Sequence, residues 1–334
     1  MIGIDIGTKY IKIARLEKKG ADFLVYSAAM CAAPPPDSSV KQDVLLASKL
    51  KAMMKEAFPL NKSVACSIGG SQIVARNFEL AALGAEEMEG AVMLEAKQSV
   101  SADLASMCCD FQELSGQGKD KKDILFVGAP VELVDKRVRL IENMGLNIEL
   151  LDIDSLAAVN SYLAFDKDMA NQSAVLLNIG HTYTNIAVLD AGALRFIRNV
   201  TFGGSNITSE IAALYKIPFE AAEEIKKSRE LWESIGLNIK SVLRKSMPDL
   251  LEAVYRSMEY CMNRKKILNI DKILITGGTA SLYGIDSFIS DTLGIATERW
   301  NPMDHLVVDD VLRKELGNCF SVAFGLAVRT WKRS

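Results

Sequence analysis

Two short segments, 173 residues apart, carry residue types suited to holding a chain of phosphates. Gly3-Ile4-Asp5-Ile6-Gly7-Thr8-Lys9-Tyr10-Ile11-Lys12-Ile13-Ala14 opens the chain. Leu176-Leu177-Asn178-Ile179-Gly180-His181-Thr182-Tyr183-Thr184-Asn185-Ile186-Ala187-Val188 repeats its pattern in the second half. Each is an apolar run, then an acid or amide, one residue, a glycine, a few polar residues and a second apolar run. The pattern predicts a β-hairpin whose glycine lies at a bend where backbone approaches another group. Two such hairpins facing each other across a cleft present backbone N–H groups to an anion from both sides. Asp5 needs a partner, because a carboxylate at the end of an apolar strand loses its hydration.

The surrounding sequence says what must position these residues. A chain of 334 residues, 49% hydrophobic, is long enough for two domains with sizeable cores. A net charge of −3 and no basic stripe with interleaved aromatics argue against nucleic acid as a partner. Met1 runs straight into a strand without a signal peptide, and no apolar stretch reaches the roughly 18–20 residues of a membrane span, so a cytoplasmic location is expected. The six cysteines form no C-x-x-C pair, and Cys108-Cys109 is too cramped to supply two ligands of one zinc. Reduced thiols are expected. His181 and His305 lie too far apart in sequence to suggest a metal site.

Periodicity predicts strands at 2–6, 10–17 and 23–30, a proline-containing loop at 32–39, a helix at 43–57 and a strand at 63–68. Segment 70–150 then reads β-α-β-β-α-β, a ferredoxin-like order. Its strands fall at 73–80, 109–114, 123–129 and 147–153, its helices at 84–101 and 132–144, and a polar loop at 115–122. A helix follows at 155–165. Strands at 174–177, 184–190 and 193–201 repeat the opening. Helices are expected from Ser205 or Asn206 through 214, at 219–230 and at 248–268. The 219–230 helix places Glu220, Glu223 and Glu224 early and Lys226, Lys227 and Arg229 late, which suits its dipole. A buried strand at 272–275 runs into Thr276-Gly277-Gly278-Thr279. Helices at 285–293 and 319–331 close the chain. The repeat predicts two α/β domains, each a mixed five-stranded sheet flanked by helices.

The order of hairpin, hairpin, Gly-Gly-Thr strand end and small-residue helix resembles the actin-like ATPase superfamily. That superfamily includes actin, heat-shock chaperone ATPases, sugar kinases and the division protein FtsA. Within it the chain is most similar to the PilM family of type IV pilus assembly. The insertion falls where that family has one. Gly277-Gly278-Thr279-Ala280-Ser281-Leu282, Asn301-Pro302 and Ala323-Phe324-Gly325-Leu326-Ala327 fit its closing patterns. The resemblance implies duplicated actin-like (ribonuclease H-like) domains around a nucleotide cleft, with a ferredoxin-like insertion in the first half. The expected division is 1–65 with 154–172 as first core, 66–153 as insertion, 173–208 with 269–334 as second core, and 209–268 as a helical subdomain.

The same resemblance implies ATP and magnesium as cofactors. Asp5, Gly7, Thr8 and Lys12 would form the first phosphate loop, with Asp5 holding magnesium through water and Lys12 a point charge for the β- and γ-phosphates. Gly180, His181, Thr182 and Thr184 would form the second. Gly277, Gly278 and Thr279 would approach the α-phosphate and adenosine. Glu223, Lys226 and Lys227 would reach ribose and adenine, and Asp154 would position the attacking water. Plainer readings stand beside these: solvated charges for Lys226 and Lys227, an N-cap for Asp154, a turn residue for His181 and a strand residue for Thr184. The chain departs from the superfamily at Asn178, where an aspartate is usual. An amide keeps the size but loses the charge that magnesium prefers. ATP binding with slow or no hydrolysis is therefore expected, at most a weak ATPase.

By resemblance the chain is a cytoplasmic scaffold of the pilus inner-membrane platform. It would lie against the inner face of the cytoplasmic membrane through partners, without a membrane span of its own. It would bind the N-terminal cytoplasmic peptide of a PilN-like membrane protein between the first core and the insertion, along a strand edge such as 73–80. Other platform proteins and self-association are further expected partners. Two alternatives belong to the same superfamily. A small-molecule kinase needs a second substrate site that is not evident. An FtsA-like filament former needs a terminal amphipathic helix, for which 328–334 is short.

Overall fold

A computed structural model describes residues 1–20, 22–35, 40–58, 62–114, 120–166, 172–265 and 267–329. β1 (Ile2–Ile6), β2 (Tyr10–Lys19) and β3 (Asp22–Ala32) form an antiparallel meander. After α1 (Val40–Ala57), β4 (Ser63–Ile68) pairs parallel with β1. β1 is buried almost along its length, the pattern of a strand covered on both faces. One face packs Ile2, Ile4, Ile11 and Ile13 against Leu50, Met53 and Met54 of α1.

The inserted segment contains β5 (Val74–Ala81), α2 (Ala85–Ser99), β6 (Met107–Leu114), β7 (Lys121–Pro130) and α3 (Val131–Glu142). Its sheet has three antiparallel strands in the order β5-β7-β6. Phe78, Phe126 and Ile124 pack on Met88, Val92 and Ala96 of α2. The expected fourth strand, β8 (Asn147–Ile153), is present but belongs elsewhere. It pairs parallel with β4 and completes the first sheet in the order β3-β2-β1-β4-β8. The ferredoxin-like order thus holds along the sequence but not in the sheet. Alternation in 147–153 reports which faces are buried, not which strand lies alongside, and burying Ile153 beside Ile68 joins this strand to the first core. Of the expected loop at 115–122, residues 115–119 lie outside the described ones and Lys121 and Lys122 belong to β7.

α4 (Asp154–Phe165) leads into the second half. There β9 (Ser173–Ile179), β10 (Thr184–Asp190) and β11 (Ala193–Val200) repeat the meander. The helices α5 (Gly204–Tyr215), α6 (Phe219–Lys227), α7 (Arg229–Ile235), α8 (Ile239–Ser246) and α9 (Pro248–Arg264) follow. β12 (Lys272–Thr276), α10 (Ile285–Leu293), β13 (Thr297–Arg299), α11 (Asp310–Leu316) and α12 (Ser321–Val328) complete the described chain. The second sheet, β11-β10-β9-β12-β13, reproduces the first strand for strand. The helix expected at 219–230 breaks at Ser228, whose extended backbone ends α6 and whose Oγ accepts from Leu231 N to cap α7.

The halves exchange helices. α4, which follows the first sheet, packs Val159, Tyr162 and Phe165 with Leu176, Leu189 and Leu274 of the second. α12, which follows the second sheet, lies on the first. A Cβ on Gly3 would fall 2.0 Å from the Ala323 carbonyl, so strand and helix touch backbone to backbone. α4 and α12 also meet, since a Cβ on Gly325 would fall 1.7 Å from the Ala157 carbonyl oxygen.

Candidate functional site

The two hairpins open onto one cavity of about 440 Å³ between the sheets. Their turns close alike: Gly7 N donates to Tyr10 O at 3.1 Å and Gly180 N to Tyr183 O at 3.0 Å. Asp5 faces Lys12 across the first hairpin, and Asn178 faces Asn185 at the same place in the second. Their chemistry differs. Lys12 Nζ donates to Asp5 Oδ2 at 2.6 Å, an ion pair. Asn178 Nδ2 donates to Asn185 Oδ1 at 2.9 Å, and Asn185 Nδ2 to Asn199 Oδ1 at 2.9 Å, a neutral amide ladder across three strands. Burial opposes the Lys12 charge, but the attraction of Asp5 prevails and raises its pKa. Asp5 thereby has the partner that its burial requires.

Asp154 is the first residue of α4, but its side chain does not cap the helix; Ile153 occupies that position. The carboxylate lines the cavity and accepts from the Tyr183 hydroxyl at 3.0 Å, joining the two halves. Burial, then the charge of Asp5, raises the Asp154 pKa. Only a glycine fits behind this pair: a Cβ on Gly69 would lie 2.0 Å from Asp154 Oδ2 and 2.3 Å from the Tyr183 hydroxyl.

Gly180, His181, Gly277, Gly278 and Thr279 line the opposite wall. Gly277 has φ +88°, and its Cβ would strike Asn178 Oδ1 and the Ile179 carbonyl, both at 2.6 Å. Gly278 has nothing within 4 Å of a Cβ, leaving its backbone open to the cavity. Thr279 donates its hydroxyl to Gly180 O at 2.7 Å, tying the two glycine segments together. Burial, then Lys9 and Lys226, holds the His181 pKa down to about 4, so the imidazole is neutral near pH 7. Thr182 is off the cavity wall and shares a hydroxyl hydrogen bond with Thr8, 3.1 Å, between the turns. Thr184 is away from the cavity altogether: it is buried and donates to Phe202 O at 2.8 Å, the part of a strand residue.

The α6 residues divide. Lys226 is buried and donates to Glu223 Oε2 at 2.7 Å, Thr208 Oγ1 at 2.8 Å and Gly204 O at 2.9 Å. It is no solvated surface charge. Lys227 lies at the rim in an exposed pair with Glu224. Glu223 also accepts from Lys9, which reaches it from the first hairpin.

Sequence reasoning missed Lys9, Tyr183, Asn185, Arg229, Trp232 and Tyr283, all on the cavity wall. The 173-residue offset carried a signal for two of them, since it aligns Asn185 with Lys12 and Tyr183 with Tyr10. The aromatic wall had none, because α7 and the segment after β12 meet only in the fold. There the Arg229 guanidinium lies 4.3 Å from the Tyr283 ring centre, with Trp232 beside it.

Backbone amides, lysines and an aromatic wall suit a polyanion with a flat ring attached. Among the described residues no cluster of three or more histidine, cysteine or acidic side chains could hold a metal unaided. Asp5 and Asp154 put two carboxylates on the cavity wall. No helix among the described residues is long and apolar enough to cross a membrane.

A family model described as type IV pilus assembly protein PilM matches residues 3–331. The structure of a PilM-PilN type IV pilus biogenesis complex aligns with TM-score 0.84 and 23% identity, covering 98% of this chain and 97% of the other. MreB5 of Spiroplasma citri bound to ADP aligns with TM-score 0.52 and 12% identity over 97% of this chain and 94% of that one. The cell division protein FtsA of Bacillus subtilis is 27% identical over 276 residues, covering 71% of this chain and 62% of that protein. The chain thus spans about three fifths of that relative's length.

Proposed function

Because the chain belongs to the family of type IV pilus assembly protein PilM, we propose that it is an ATP-binding scaffold of the pilus inner-membrane platform. The observation that carries the nucleotide part is the convergence of two matching glycine hairpins, with Lys12, Lys9 and Lys226, on one cavity. The phosphates would lie against the two hairpin turns and the open backbone of Gly278, since the Gly7 and Gly180 amides already close their own turns. Adenine would lie toward Arg229, Trp232 and Tyr283. Asp5, with Asp154, would hold magnesium through water, and that ion would offset phosphate charge when bound. The similar fold of MreB5, whose structure is bound to ADP, supports a nucleotide as the ligand.

Hydrolysis should be slow for two reasons. The second hairpin offers the metal side an amide ladder in place of a carboxylate. Asp154, which would position the attacking water, already accepts a hydrogen bond from Tyr183 and so has one oxygen occupied. The partner proposed is the N-terminal cytoplasmic peptide of a PilN-like membrane protein, which would keep the chain at the cytoplasmic face of the membrane. The PilM-PilN complex among the similar structures supports this choice. β5, the edge expected from the sequence, and β6 are the two edge strands of the inserted sheet, each offering strand addition. Calorimetric titration of that peptide, with and without ATP, tests the reading. Binding in at least one state is expected; binding in neither would overturn it.

A further inference from the structure

Resting on the nucleotide reading of the cleft, we propose that Lys9 is an additional polyphosphate-binding residue, parked on Glu223 until an anionic ligand takes it. The pair spans the cleft between the turn of the first hairpin and α6 of the second half, 214 positions apart. Among the buried and part-buried lysine pairs of the cavity it is the one that can change partners at least cost. Lys12 is committed to Asp5 on the neighbouring strand. Lys226 is buried among three acceptors. Lys9 shares a carboxylate that already accepts from Lys226 and from the Thr208 hydroxyl, so its departure leaves Glu223 satisfied. Lys9 also keeps a quarter of its side chain exposed, while its carbonyl is fixed by the Ala33 amide at 2.8 Å. The backbone is held and the ammonium is free to swing.

The cationic surroundings agree. Burial, then Lys226 and Lys227, brings the Lys9 pKa down to about 8. Positive charge is thus crowded at this end of the cavity, and an arriving polyphosphate relieves the crowding while competing with Glu223 for the same ammonium.

The test uses inorganic tripolyphosphate, which has no ribose for Glu223 to touch, on the intact chain. Lys9→Gln should weaken binding about fivefold or more, Glu223→Gln should tighten it about threefold, and the double variant should show no gain over Lys9→Gln. Equal gains from Glu223→Gln in both backgrounds would overturn the proposal. Hydrogen exchange on the ligand-free proteins separates this idea from the nucleotide reading. Lys9→Gln should speed exchange in α6, across the cleft from the substitution. Unchanged α6 exchange overturns the parked pair whatever the chain binds. Faster exchange with no tripolyphosphate binding by any form overturns the phosphate role together with the nucleotide reading, leaving Lys9 a strut between the halves.

Discussion

At the scale of single residues, the two hairpins are copies that have diverged in charge. Asp5–Lys12 and Asn178–Asn185 occupy equivalent places, and the exchange of an ion pair for an amide pair removes both charges at once. Substituting Asn178→Asp alone would not restore the usual site, because a carboxylate cannot donate to Asn185 Oδ1. The ladder through Asn199 would have to turn over or lose a bond, at about 1–3 kcal/mol. Chemical denaturation should show that loss, with phosphate release little changed; a stable variant with rapid turnover would contradict it. Tyr183→Phe acts oppositely. It frees Asp154 Oδ2, and phosphate release at saturating ATP should rise about tenfold or more; an unchanged rate would clear Tyr183 of restraining that carboxylate. Lys9 gives the pH dependence. It is charged below about 8 and neutral above, and bound phosphate favours the charged form. The Lys9-dependent part of the polyphosphate affinity should hold below about pH 8 and fall as pH rises above it. The wild type should therefore fall more steeply there than Lys9→Gln, while Lys226, with a pKa of about 7, titrates in both. Parallel pH profiles for the two proteins would contradict this. Lys12, Gly277 and Gly278 rested on the family resemblance, whereas Asp5 and the hairpin glycines were legible in the sequence because strand, acid and glycine fall at fixed spacing. Lys9 was not, since a lysine in a turn usually points to water.

At the scale of elements, the fold depends on helices that each cover the other half's sheet. α12 reaches β1 at Gly3 and α4 at Gly325, where no side chain fits. Gly325→Ala should therefore cost about 3 kcal/mol through overpacking and lower the melting temperature by several degrees. Retained stability would mean that the two helices can move apart. Most elements could be read from periodicity: the strands at 63–68 and 184–190 and the helix at 285–293 have the expected bounds. The failures share a cause. β8 has the expected bounds but an unexpected neighbour, because alternation specifies faces and not partners. β13 is three residues long and α8 eight, too short for a period to stand out.

At the scale of the molecule, two like sheets face one cavity, and contacts from each side meet across it: Thr8 with Thr182, Asp154 with Tyr183, Lys9 with Glu223. At the exchanged helices, Phe165 packs edge-on to Phe324, and Tyr162 edge-on to Trp300 with ring centres 5.1 Å apart. On the proposed function, a ligand that replaced the cross-cleft contacts would bridge the same two halves and so couple the cavity to the proposed partner peptide. The central claim is that the hairpins hold ATP, and titration calorimetry of ATP–Mg tests it most directly, on the intact chain and on Gly278→Leu. Gly278 lines the cavity and a Cβ there meets nothing within 4 Å, so a leucine adds bulk at the cavity wall. The account predicts saturable binding by the wild type and a loss of about tenfold or more in the variant. No binding by the wild type, or equal binding by both, would contradict it.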